Sequence, residues 1–206
     1  RQCYEYEVRN CEFLNCRYFL DNFNFLSDNF WLAVAELVDL CVQSVNLSLI
    51  TWSNDCEVVC TVRVLELVNE KRREAGLKEL TLSEDLMKGS KWKNDYMAKN
   101  NDYGHIPKDG TSMGNQGAKF YPTNFVGENI HVSYSLPGEY NDLTPQNLFQ
   151  GWWDSPGHRA NILNENYTQM GMAYTNSLTG VKSGDFRAYY ATQWFGNPDL
   201  VAPSDY

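Results

Sequence analysis

From residue 62 onward, apolar side chains recur at intervals of three and four: Val62, Leu65 and Val68, with Val64 and Leu67 on the flank. That interval lines one side of a helix. The charged run Glu70, Lys71, Arg72, Arg73 and Glu74 follows. Gly76 then stops the helix as a left-handed C′ residue. Leu77 and Leu80 lead into Thr81-Leu82-Ser83-Glu84, which reads as a capping box. A second helix is predicted from there to about Asn100, with Leu86 and Met97 on its apolar side. Its small residues Gly89, Ser90 and Ala98 allow close packing. Asn100-Asn101-Asp102-Tyr103-Gly104 ends it, and His105 falls in the loop. Lys108-Asp109-Gly110 is a turn, and a short helix interrupted by glycine covers residues 113–120.

The pattern then becomes extended at Gly127-Glu128-Asn129-Ile130, as far as about Pro137-Gly138. Thr144, with Pro145 at the first helical position, predicts a helix running into Trp152 and Trp153. Ser155-Pro156-Gly157 breaks it, because Pro156 has no N–H and biases Ser155 away from the α region. A new helix starts there, with Ser155 as its cap and Pro156 at its first position. His158 sits in the first turn, where free N–H groups and the helix dipole favour a neutral imidazole. A neutral imidazole is a metal ligand or a general base. Two strands, 169–174 and 186–195, are joined through 177–184 and read as an antiparallel hairpin. Helices first and a hairpin last predict an α+β fold, a layered sandwich around a small antiparallel sheet.

Residues 1–60 have a different character. All six cysteines (Cys3, Cys11, Cys16, Cys41, Cys56 and Cys60) lie there. An even number in a separate block fits disulfides in an oxidising compartment; a zinc cluster is the alternative, without a Cys-x-x-Cys pair to favour it. Residues 30–52 are nearly continuous apolar sequence, but Glu36 and Asp39 argue against a membrane span, and an amphipathic helix near 31–42 is expected. The domain plan is therefore an N-terminal cysteine segment (1–60), a globular domain (61–196) and a tail (197–206). The chain of 206 residues carries a formal net charge of -9. Its pI is near 4.8. That excess of acid argues against nucleic acid or an anionic membrane as the main partner. The sequence opens at Arg1 without a signal-peptide pattern, which leaves its compartment open.

The motifs, taken in order, resemble the CAP superfamily of cysteine-rich secretory, antigen 5 and pathogenesis-related 1 proteins, also called the SCP domain. Val64 to Arg72 with Gly76-Leu77 resembles its opening helix. His105 matches its first histidine, Gly127-Glu128-Asn129-Ile130 its Glu-Asn motif, and Trp152 to Leu163 the Trp-x-x-Ser-Pro-Gly-His-Arg-x-Asn-Ile-Leu signature of the short bacterial branch. Gly171 and Gln193-Trp194-Phe195 match its closing strands. The resemblance covers about residues 61–196. It implies an α/β/α sandwich whose open cleft is lined by His105, Glu128 and His158, in a secreted or cell-surface protein. Relatives in eukaryotes carry a second glutamate three residues after the tryptophan; here that position is Ser155.

Two imidazoles and a carboxylate around an open position form a recognised zinc arrangement, which lowers the pKa of a bound water. His105, Glu128 and His158 are thus the candidate Zn2+ ligands, with Asn129, Ser155, Arg159 and Gln193 as cleft support. Asp102, Asn129 and Gln193 are candidate acceptors for a histidine's second nitrogen. Glu128 pairing with a histidine simply to hold the fold is the plainer alternative. Ser155 reads more simply as a cap than as a nucleophile, and His131 as a surface residue. Arg159 is expected to pair with Asp154 or Glu165. Tyr189, Tyr190 and Trp194 read as core. Two functions follow. The first is a binding module for a lipid-like, small-molecule or protein ligand, since the fold is linked in relatives to lipid or sterol binding and extracellular interactions. The second is a zinc-dependent hydrolase of peptide or cell-wall material with Glu128 as its catalytic carboxylate.

Overall fold

Helix α1 (Cys56–Glu74) buries Val64, Leu65 and Val68 at helical spacing, joined on the same stripe by Thr61, Asn69 and Arg72. Val62 and Leu67 lie off that stripe and are half-buried. Gly76 has φ +71°, Leu77 N–H donates to Arg72 C=O (2.8 Å) and Gly76 N–H to Arg73 C=O (2.9 Å). These two bonds satisfy the last carbonyls of the helix. In this computed structural model, the residues described are 56–136, 144–174, 181–183 and 185–203. The expected helix near 31–42, the cysteines from Cys3 to Cys41 and the Cys56 side chain lie outside the described residues. The chain divides into two compact units, Arg1–Val59 and Cys60–Tyr206.

The second unit is built on one sheet. Strand β1 (Thr81–Leu82), β2 (Val126–Ser135), β3 (Gln169–Tyr174) and β5 (Phe186–Gly196) stand in the order β1-β3-β5-β2, and β4 (Val181–Ser183) also pairs with β5. β3 and β5 are antiparallel, as the aromatic pattern predicts, with Gln169 opposite Gly196 and Tyr174 opposite Ala191. β2 flanks β5 on its other side over ten residue pairs, from Val126–Gly196 to Ser135–Arg187. β1 pairs with β3 in parallel. The expected capping box at Thr81 is therefore displaced. Thr81 belongs to a strand, and the cap of helix α2 (Glu84–Asn100) is Ser83, whose hydroxyl accepts from Leu86 N–H.

Alternation along the strands assigns the faces. Gly171 turns toward α2, and Ser90 on α2 donates to its carbonyl (3.1 Å). On the opposite face the Tyr174 hydroxyl donates to Cys60 Sγ on α1 (3.2 Å). α2 covers its face through Leu86 with Tyr121, Val126 and Trp194, and through Met97 with Ile130, Ala188 and Tyr190. Tyr189, Tyr190 and Trp194 are all buried, as expected of core. Helix α3 (Met113–Gly117) is shorter than the expected span 113–120. Helix α4 (Pro145–Asp154) starts at a Thr144 cap with Pro145 first, and α5 (Pro156–Ile162) follows immediately. Ser155 stands at the junction, but its side chain makes no capping bond to α5. Its carbonyl accepts from Arg159 N–H, so only its backbone starts the helix.

Candidate functional site

His105 occupies the irregular segment between α2 and α3. Its carbonyl accepts from Lys93 Nζ (2.6 Å) and from Gln116 Nε2 (2.9 Å). Its ring Nδ1 lies 2.9 Å from Glu128 Oε1. Glu128 stands opposite Trp194 on β5, and the Trp194 indole N–H donates to its Oε2 (2.8 Å). Lys93 Nζ is 3.8 Å from Oε1. The Lys93 and Glu128 side chains are 0% and 1% exposed, whereas His105 is 52% exposed. Burial pulls the Lys93 ammonium pKa down, while Glu128 and Asp102 oppose that shift. A charge this deep persists only with such partners.

His158 lies in the first turn of α5. Its Nδ1 is buried and has no hydrogen-bond partner among the described residues. Burial, and then the charge of nearby His105, lower its pKa, so the expected neutral imidazole has desolvation as its main cause. His131, expected at the surface, is half-buried. Its ring packs where a Cβ on Gly151 would stand 4.0 Å from Cε1 and Nδ1. Burial, and then His158, lower its pKa as well. Asn129 and Gln193 bind the scaffold rather than an imidazole ring. Asn129 Nδ2 donates to Gln193 Oε1 (3.0 Å) and to the His158 carbonyl (3.3 Å). Asn161 on α5 donates to Asn129 Oδ1 (2.9 Å) and to the Glu128 carbonyl (3.0 Å). Together they tie α5 to β2. Asp102 accepts from the Tyr96 hydroxyl (2.8 Å) and is not an imidazole's partner.

The sequence model of the cysteine-rich secretory protein family, CAP, matches residues 65–195. The chain belongs to the CAP family. It is 33% identical over 118 residues to the uncharacterized protein YkwD of Bacillus subtilis, an overlap of 56% of this chain and 42% of that protein. The chain thus spans less than half of the length of that relative. Among solved structures it resembles an extracellular protein containing a SCP domain from Bacillus anthracis, with a TM-score of 0.51 and 23% identity over 72% of this chain and 45% of that one. The α+β CAP fold expected from the motifs is the fold observed.

In this CAP domain the three resemblance-derived residues take unequal parts. The charge of His105 reaches His158, and Glu128 stands behind His105 with both oxygens turned to Trp194, His105 and Lys93. Among the described residues no group of three or more His, Cys, Asp or Glu side chains is placed to hold a metal ion. The Glu128 carboxylate, 2.9 Å from His105 Nδ1, stands where a group that orients an imidazole stands. Arg159 donates from Nε to the Trp153 carbonyl and lays its guanidinium 5.0 Å from the Trp153 ring centroid. No ion pair to Asp154 or Glu165 forms among the described residues; Gln150 donates to Asp154 instead (2.7 Å).

Lys93, Gln116, Asn161 and His131 are the site residues that sequence reasoning missed. A signal existed for Lys93. It lies three or four residues from Ser90, Gly89 and Met97, on the buried stripe of α2. His131 had one too, since it follows Asn129 by two on the same strand face.

The depressed histidines set a pH dependence. In the unfolded chain both titrate near 6.5; folded, both hold their neutral form to lower pH. Between these values the unfolded chain binds more protons, so stability rises with pH. The contribution is complete above about pH 6.5 and is lost as pH falls through the folded values. The melting midpoint should hold steady down to about pH 7 and fall below it, with a shallower fall in His131→Gln. Identical acid slopes for the two proteins would contradict this account.

Proposed function

We propose that this CAP domain is an extracellular binding module whose site at His105 and His158 takes a lipid-like ligand. The observation that carries the reading is the engagement of Glu128. Its buried carboxylate accepts from the Trp194 indole and bonds the His105 ring, with Lys93 beside it. A carboxylate so occupied is a poor general base, which a hydrolase would need. The flanks of the site support an apolar ligand. Tyr103 and Ile106, on either side of His105, are 46% and 50% exposed. The Tyr103 hydroxyl donates to the Ile130 carbonyl (3.2 Å), which holds its ring beside β2. Exposed large apolar groups grouped beside polar ones mark binding surfaces. The extracellular placement follows the description of the Bacillus anthracis relative. Among the described residues no helix is long and apolar enough to cross a membrane.

The test is titration with a fluorescent sterol and a fluorescent long-chain fatty acid. Saturable binding near micromolar, about -8 kcal/mol, is expected for at least one of them. Tyr103→Ser/Ile106→Ser should weaken it about tenfold, the effect of withdrawing roughly one apolar side chain from the contact. No saturable binding of either probe would sink the reading. The competing reading is zinc-dependent hydrolysis of peptide or cell-wall material. Zinc-dependent turnover that disappears in Glu128→Gln would establish it in place of the binding module.

A further inference from the structure

His105 is a loop residue with a half-exposed side chain, yet three buried groups hold it. Lys93 from α2 and Gln116 from α3 both donate to its carbonyl. Gln116 Nε2 also donates to the Thr111 carbonyl (3.0 Å), and its Oε1 accepts from Lys93 Nζ (3.3 Å). The ring is held separately by Glu128, which is itself clamped between the Trp194 indole and Lys93. Exposed loop side chains ordinarily have no such support. Burying a lysine and a glutamine for the sake of one loop carbonyl brings desolvation that packing alone does not demand.

We infer that Lys93 and Gln116 are positioning residues for His105. They fix its backbone while Lys93 and Trp194 fix the Glu128 carboxylate, and His105 is thereby presented in one ring orientation and one tautomer. An ionised carboxylate only accepts, so the proton of the 2.9 Å contact sits on His105 Nδ1. Nε2 then carries the lone pair, and the exposed side chain offers the site a hydrogen-bond acceptor rather than a donor. The inference deepens the binding reading, because it names the polarity of the group that a ligand meets: a ligand hydroxyl or amide N–H suits it, and a second acceptor does not. Pre-organisation of this kind removes the entropy of ordering the ring on binding.

Ring proton–nitrogen correlation spectra of the full chain test this without any ligand. The chain has three histidines, so the His105 signals are assigned by their absence in His105→Gln. At about pH 8 His105 should show the Nδ1–H pattern, with Nε2 unprotonated. Lys93→Met and Gln116→Met, each checked for native circular dichroism, should lose that single pattern and populate the Nε2–H form. A purely structural lysine would lower the melting midpoint and leave the pattern intact. A wild-type spectrum with the Nε2–H form, or with both forms, overturns the inference. So does retention of the Nδ1–H pattern in the folded variants. Gln116→Met decides if Lys93→Met does not fold, since it leaves the charge pair with Glu128 in place. Failure of sterol and fatty-acid binding would leave this spectrum unchanged, so the two readings fail separately.

Discussion

Gly171→Ala is expected to destabilise the domain by more than about 3 kcal/mol. Gly171 lies on β3 where α2 crosses the sheet. A Cβ there would stand 2.2 Å from the Met87 backbone nitrogen and 2.3 Å from the Leu86 carbonyl carbon. Real Cβ atoms do not approach backbone so closely, and backbone held in the first turn of α2 cannot swing aside as a side chain can. α2 would have to lift, and lifting it breaks the Ser90–Gly171 hydrogen bond and opens the contact of Leu86 with Trp194. The site would move with it, since Lys93 rides on α2 one turn beyond Gly89 and Ser90. In a domain of this size the loss corresponds to a fall of about 6–12 °C in melting midpoint. A variant within about 2 °C of wild type would show that the helix and sheet are not as closely apposed as described.

Arg72→Met is expected to lower stability by about 3–5 kcal/mol, and Arg72→Lys to recover only part of it. Arg72 lies in the charged run after the apolar stripe, where a solvated face is the ordinary expectation. Instead it is fully buried. Its Nε donates to the Lys78 carbonyl (2.7 Å), and its Nη atoms donate to the carbonyls of Ile162 (2.8 Å), Asn164 (2.9 Å) and Tyr167 (3.2 Å). Among the described residues no carboxylate pairs with it, so four carbonyls share the charge, and burial lowers its pKa. Methionine fills much of the same volume but leaves those acceptors without a donor. Lysine concentrates its donors at one atom and cannot span carbonyls that belong to two separate segments. Ile162 ends α5, so the loss would also loosen the helix that carries His158. Denaturant unfolding reads the effect as a lower midpoint at unchanged slope. A change below about 1 kcal/mol would mean that water replaces the guanidinium at those carbonyls.

The helices and most strands were legible because local signals coincided with tertiary demand. The Gly76 stop, Pro145 after Thr144 and the Ser155-Pro156 break each act within a few residues, and each stands where the pattern placed it; the α1 helix does too, with its buried stripe shifted from Val62 to Val64. Thr81 reads as part of a cap because β1 is only two residues long and exists through parallel pairing with β3, where Thr81 meets Gln169, about 88 positions along the chain. β4 was missed for a similar reason: three residues carry no periodicity of their own and are a strand only because β5 lies alongside.

The site divides in the same way. Residue types and motif order alone brought His105, Glu128 and His158 forward, and with them the family. Their roles came only from the folded chain. That Glu128 stands behind His105 depends on Trp194 and Lys93 converging on it from β5 and α2. That Arg72 is buried and Arg159 is not paired with an acid depends on which carbonyls and rings lie within reach. Sequence periodicity reports which side of an element faces inward. Whether a charged group on that side finds donors, acceptors or another charge is set by segments distant in the chain, and burial converts that difference into kilocalories.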